Sequence, residues 1–234
     1  MKKLIIYISV FLLGSVFIFS QEKGKEKEKS TYESSYQNKA ISGTPGMVTQ
    51  SLRSKGDLKG SPYINEDFIS AEVDGSTYSM RYNAHEDQFE YLDNDAVVLF
   101  PAKLGATVVE IPRLNKKYEY LNYKDGRSYN YGFLVVLYET DNLKLFKKEK
   151  VNFIKGVVPK TSYDRAYPDE YRRERDVFYY QINGGEIDRV PTRNRQFTSL
   201  FTDQSKEIDN YIKSNKISLN DENDLKKLFE FIGK

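Results

Sequence analysis

The chain has 234 residues, with 36 basic and 34 acidic side chains and a formal net charge of +2. That balance argues against nucleic acid as a partner, because nucleic-acid binders carry a strongly basic face. Cysteine is absent and histidine occurs once, which leaves no disulfide framework and no set of soft ligands for a metal, so no cofactor is expected.

Residues 1–20 read as a signal peptide. Lys2 and Lys3 form a basic start, Leu4 to Leu13 an apolar stretch, and Ser20 a small residue before Gln21. The apolar part is about 16 residues, short of the ~20 that a spanning helix needs. Cleavage before Gln21 is therefore expected, leaving no transmembrane segment; the alternative is an uncleaved anchor. Residues 21–58 open with QEKGKEKEK and continue rich in Ser, Gly and Thr. This composition offers too little apolar surface to offset ordering entropy, so a disordered tether is expected.

Residues 59–191 carry the strand signals. Asp74-Gly75 suits a two-residue type I′ turn, which needs positive φ at both positions. If it closes the hairpin, Val73 faces Ser76, Ala71 faces Tyr78 and Ile69 faces Met80. Ile69, Ala71, Val73, Tyr78, Met80 and Tyr82 then share one face, and the other face is polar apart from Phe68. Gln88 to Tyr91 alternates, Asp93-Asn94-Asp95 is a turn, and Ala96 to Phe100 is an apolar strand stopped by Pro101. Thr107 to Ile111, Lys116 to Asn122 and Ser128 to Glu139 follow, with Gly132 a candidate bulge in the last. Leu143 to Lys150 (LKLFKKEK) alternates as a solvated edge strand would; contact with anionic lipid or a partner is the alternative. Lys155 to Arg175 reads as a long loop. Asp176 to Ile182 and Glu186 to Val190 flank a turn at Gly184-Gly185, which sets Ile182 against Ile187 and Tyr179 against Val190.

From residue 192 the period becomes helical. Phe197, Leu200 and Phe201 suggest one turn. Ile208, Tyr211 and Ile212 mark a helix that Thr202 or Asp203 can cap and Asn215 can end. Leu225, Leu228, Phe229 and Ile232 stripe a second helix, acidic at its start. Residues 192–234 thus form a helical hairpin packed on the β domain. The fold class is mainly β: roughly ten strands in an antiparallel meander, closed in part into a barrel or stacked as a sandwich.

The motifs GSPY (Gly60 to Tyr63) and RYN (Arg81 to Asn83), followed by Asp87 and Phe89, and the ending from Ile208 to Leu228 resemble a group of uncharacterised exported proteins of Bacteroidota. The resemblance spans about Lys59 to Ile232. It implies an envelope location, periplasmic or outer-membrane-associated, and brings no assigned activity. Tyr63, Arg81, Asn83 and Asp87, which belong to these motifs, are the candidate binding residues. Arg81 shares the polar face with Asn83 and can reach Asp87 or Glu72, so a salt bridge and a ligand contact are both open.

No catalytic residue is assigned. His85 stands alone in a polar loop, and no serine has a nucleophile-elbow context. The carboxylate pairs Glu66/Asp67, Glu86/Asp87 and Asp93/Asp95 sit where turns are expected. The expected function is an exported, non-enzymatic cell-envelope protein, a binding or accessory module with an envelope protein as partner and peripheral membrane contact open. The alternatives are a glycan- or small-ligand-binding barrel using its 19 tyrosines, and a hydrolase using paired carboxylates.

Overall fold

Asp74 and Gly75 adopt φ of 50° and 75°, as a type I′ turn requires. The hairpin between β2 (Ile69–Val73) and β3 (Ser76–Asn83) has the expected register, Ile69 to Met80, Ala71 to Tyr78 and Val73 to Ser76. Asn94 and Asp95, also at positive φ, make the same kind of turn between β4 (Gln88–Asp93) and β5 (Ala96–Leu99). A computed structural model of the protein describes residues 58–157 and 167–234. The signal peptide, and the tether as far as residue 57, lie outside the described residues.

The chain does not continue as a simple meander after β5. It returns across the sheet, so that β6 (Val108–Ile111) pairs with β2. β7 (Lys116–Asp125), β8 (Ser128–Glu139) and β9 (Leu143–Lys148) follow as antiparallel neighbours. β12 (Val177–Ile182) pairs with β9, and β13 (Asp188–Arg189) pairs with β12 on one side and in parallel with β7 on the other. That last pairing closes β7, β8, β9, β12 and β13 into a five-stranded barrel. A second, three-stranded sheet joins β1 (Leu58–Lys59), β10 (Val151–Ile154) and β11 (Asp169–Arg173). β11 falls inside the stretch expected to be a loop, whose charged alternation hid a strand.

Each barrel wall sends one large side chain inward: Tyr123, Leu134, Phe146, Tyr179 and Ile187 fill the interior. The opposite faces of β7 and β8 supply Tyr118, Phe133 and Val135 to a second core with Ile69, Met80, Tyr82 and Phe89. The outer face of β9 and β12 (Leu143, Leu145 and Phe178) meets three helices. These are α1 (Asn194–Thr198), α2 (Ser205–Ser214) and α3 (Glu222–Ile232). The expected apolar stripes bury Ile208 and Ile212 of α2 and Leu225, Leu228 and Phe229 of α3.

Four local expectations need correction. The 176–190 hairpin turns at Asn183-Gly184, both at positive φ, and Gly185 N donates to Ile182 O. Tyr179 therefore pairs with Arg189, one residue off the expected register. Neither Thr202 nor Asp203 caps α2, and Lys216, not Asn215, takes the left-handed conformation after it. The bulge in β8 lies between Val136 and Tyr138, not at Gly132. Finally, β9 is no solvated edge: it lies between β8 and β12, and both its faces are covered.

Candidate functional site

β9 places two adjacent lysines on opposite faces of the barrel wall. Strand alternation sends Lys148 inward beside Phe146 and Lys147 outward toward the helices. Both ammonium groups are buried, and each is met by acids from distant segments.

On the inner side, Lys148 Nζ lies 2.6 Å from Asp87 Oδ1 and donates to Phe133 O at 3.0 Å. Asp87 also accepts from the Tyr82 hydroxyl at 2.6 Å and from Phe133 N at 3.2 Å. Burial pushes the Lys148 ammonium below its usual range, and the Asp87 charge only partly restores it. Gly132 makes this pair possible: a Cβ there would overlap Asp87 Oδ2 and meet Lys148 Nζ at 2.8 Å.

On the outer side a cleft of about 630 Å³ opens between three walls. One wall is the connection from β6 to β7, a single helical turn at Pro112–Leu114 ended by left-handed Asn115. Another is the N-terminal part of α3, from which Glu222 and Lys226 project. The third is the bulged end of β8, Val135 to Glu139. Pro112, Leu114 and Leu137 add some apolar surface to a lining that is mostly polar, with Lys116, Lys117, Lys147, Glu110, Glu139 and Glu222 around it.

An ion-pair network runs along this cleft. Its anchor is Glu149, 3% exposed, which receives Lys116 Nζ at 2.8 Å, the Tyr118 hydroxyl at 2.6 Å, Arg173 at 3.4 Å and Lys147 at 3.5 Å. Burial alone would raise the Glu149 carboxyl. The Lys116 charge, its hydrogen bond and that from Tyr118 outweigh burial and hold the group below the usual range. Lys147 Nζ reaches Glu222 at 2.8 Å and Asp176 at 3.6 Å. Burial opposes its charge, but Glu222 and Glu149 raise it overall. Glu222 is lowered in turn, because the Lys147 and Lys226 bonds exceed its desolvation. On the far side Lys117 lies 2.8 Å from Glu139, which also pairs with Lys144. Those two hydrogen bonds lower the Glu139 carboxyl.

The residues singled out from sequence lie elsewhere. Arg81 reaches neither Asp87 nor Glu72. Its direct cross-strand partner is Glu90, bound at 2.7 Å through the guanidinium Nη2 and at 2.8 Å through Nε. Tyr63 stacks under that guanidinium at 3.9 Å and gives its hydroxyl to Glu90 at 3.1 Å. Phe68 covers the other side at 4.3 Å, which explains an apolar residue on the polar face. Asn83 bridges to Tyr63 and accepts from His85 N and Glu86 N to shape the β3–β4 turn. Asp87 faces away, into the barrel. Tyr63, Arg81 and Asn83 are therefore neighbours, and Asp87 is not with them. His85 Nδ1 lies 3.2 Å from Val151 O, beside the Tyr171 ring.

Sequence reasoning missed Lys147, Glu149 and Glu222. The one local signal was a lysine pair closing the strand LKLFKK, and it reads equally well as a solvated edge. Among the described residues, no group of three His, Cys, Asp or Glu side chains is placed to hold a metal ion. Nor is any helix among them long and apolar enough to cross a membrane. Searches of protein-family models, curated proteins and solved structures returned no match to this chain.

Proposed function

We propose that this is an exported, non-enzymatic module of the bacterial cell envelope, periplasmic or outer-membrane-associated, that binds a protein partner through the cleft beside β8. The observation that carries the reading is the cleft's make-up, paired lysines and glutamates with Pro112, Leu114 and Leu137 among them. Protein interfaces likewise combine apolar contacts with direct polar pairs and a polar, accessible rim. Export rests on the basic start, the apolar stretch and Ser20, and on the resemblance to exported proteins of Bacteroidota.

Two features favour binding over the alternatives. The cleft presents a single tyrosine, Tyr138, where a glycan site would use several aromatic platforms. Two of its three carboxylates, Glu139 and Glu222, are held low by lysines, whereas a glycosidase-type pair needs one carboxyl raised to serve as an acid.

Site-specific photo-crosslinking in the native host tests the proposal. A crosslinker at Leu114, on the cleft wall and 37% exposed, should trap an envelope protein. One at Tyr129, toward the opposite end of β8 and about 20 Å from the nearest cleft residue of that strand by strand rise, should not. Adducts of carbohydrate at Leu114, or equal protein adducts at both positions, would overturn it.

A further inference from the structure

β5 is the edge that the ten-stranded sheet leaves open. At the other end of that sheet β13 closes onto β7, whereas among the described residues β5 pairs with β4 alone. Phe100 N donates to Phe89 O at 2.8 Å, which makes Phe89 and Phe100 a hydrogen-bonded pair. Alternation along the ladder then turns the N–H and C=O of Val97 and Leu99 away from β4. Among the described residues these groups have no backbone partner elsewhere.

Edge strands are ordinarily covered or guarded by charge. β5 reads Ala96-Val97-Val98-Leu99 and carries no charge. Val97 and Leu99 are 53% and 41% exposed, and Leu92, which faces Val97 from β4, is 37% exposed. Charges stand only at the two ends: Asp93 and Asp95 before the strand, Lys103 beyond it, all exposed.

We propose that two copies of the chain pair their β5 strands antiparallel, about a two-fold axis through Val98. Val97 of each copy then lies opposite Leu99 of the other, and four hydrogen bonds satisfy every open group at both positions. Slipped registers fare worse. Leu99 opposite its own counterpart sets Pro101, which has no N–H, against Val97. Val97 opposite its own counterpart sets Leu99 against Asp95, which is at positive φ in the turn. In the central register Leu92, Val97 and Leu99 of both copies share one face of the joined sheet. Reversed direction also brings the Asp93 and Asp95 end of one strand to the Lys103 end of the other; parallel strands would set acid beside acid. The two-fold axis uses up the edge on both copies, so assembly stops at a dimer. None of these residues lines the cleft beside β8, so dimerisation and partner recognition use different surfaces.

Sedimentation velocity of the full chain tests the pairing. So short a contact belongs to the weak class, and a reversible dimer with a dissociation constant of about 10–100 μM is expected. Val97→Lys leaves the β4 ladder intact and should weaken dimerisation at least about tenfold. Lys103→Glu should weaken it about three- to fivefold, and adding Asp93→Lys should restore it. The chain has no cysteine of its own, so a single introduced one reports the register. Val98→Cys should give a disulfide-linked dimer under mild oxidation, because a non-hydrogen-bonded pair sets its Cα atoms about 4.5 Å apart. Ala96→Cys should not, since its two copies lie about 13 Å apart by strand rise. Circular dichroism confirms that each variant is folded. A parent chain still monomeric at about 500 μM overturns the proposal. So do assemblies larger than a dimer, a dimer indifferent to Val97→Lys or Lys103→Glu, or Ala96→Cys crosslinking as readily as Val98→Cys.

Discussion

Glu149 concentrates the electrostatic demand of the cleft, because four donors converge on one buried carboxylate. Removing its charge takes from Lys116 the acid it pairs with and weakens the compensation of Lys147 and Arg173, which keep Asp176. Glu149→Gln should therefore cost about 3–5 kcal/mol at neutral pH, the range for breaking a buried pair from one side. The pH dependence has a definite sign. A carboxyl lowered on folding contributes stability above its unfolded pKa, about 4.3, and loses it as pH falls through the folded value. Glu149, Glu139 and Glu222 are all lowered. Melting temperature should hold from about pH 7 to 5 and drop below about pH 4, and the Gln variant should show a shallower acid limb. Parallel limbs would mean that Glu149 is not among the groups driving acid unfolding. Gly132 is a second residue-scale constraint. Asp87 is pinned by Tyr82, Lys148 and Phe133 N, so it cannot yield to a new methyl. Gly132→Ala should cost about 1–3 kcal/mol by overpacking, read from urea unfolding. A change of under about 0.5 kcal/mol would show that Asp87 has room to move.

At the scale of elements, the β2–β3 hairpin allows a clean comparison. Met80 is fully buried and Ser79 is exposed. Met80→Asp should cost more than about 3 kcal/mol, because it buries an unpaired charge; Ser79→Asp should stay within about 0.5 kcal/mol. Gly75→Val meets no steric obstacle but must adopt φ near 75°, so it should cost about 1 kcal/mol or more. Equal losses from the two aspartates would contradict the register. This hairpin was legible because its turn and its alternation agree on one pairing. The 177–189 hairpin was not, since Asn183-Gly184 and Gly184-Gly185 both tolerate positive φ and nothing local chooses between them. β9 was illegible for a different reason. Its three lysines read as they would on a solvated edge, and the acids that pair with the two buried ones, Asp87 and Glu222, come from a turn far upstream and a helix 75 residues downstream of Lys147. The grouping of Tyr63 and Arg81 was half visible: both belong to the quoted motifs, yet Glu90 required the β3–β4 register, which the Asn83–Asp87 connection obscures.

At the scale of the molecule, β8 ties the three apolar cores together. Phe133 and Val135 face the sheet core, Leu134 fills the barrel, and Leu137 and Tyr138 pack toward the helices. No core can lose its neighbour without exposing part of this strand. The helices in particular cover Leu143, Leu145 and Phe178 on the barrel's outer wall, and α3 supplies Glu222 to Lys147. Short helices of this kind are marginal alone, and a barrel interior of five large side chains is a small core. Each part therefore needs the other, and the described region should unfold in one transition. Near-ultraviolet dichroism of the tyrosines and far-ultraviolet dichroism should melt together. A chain ending before Asn194 exposes the three wall residues and should lose the cooperative near-ultraviolet transition, behaving as a loosely packed state. If that shortened chain melts sharply within a few degrees of the parent, the barrel is self-sufficient and the helices are an appendage. In that case Lys147→Met should cost less in the shortened chain than in the full chain, since Lys147 has there already lost Glu222 at 2.8 Å and keeps Glu149 and Asp176 at 3.5 and 3.6 Å. The same substitution in the full chain removes the partner of Glu222 and should destabilise it. A Lys147→Met effect of the same sign and size in both chains would show that the Lys147–Glu222 pair does not couple α3 to the barrel.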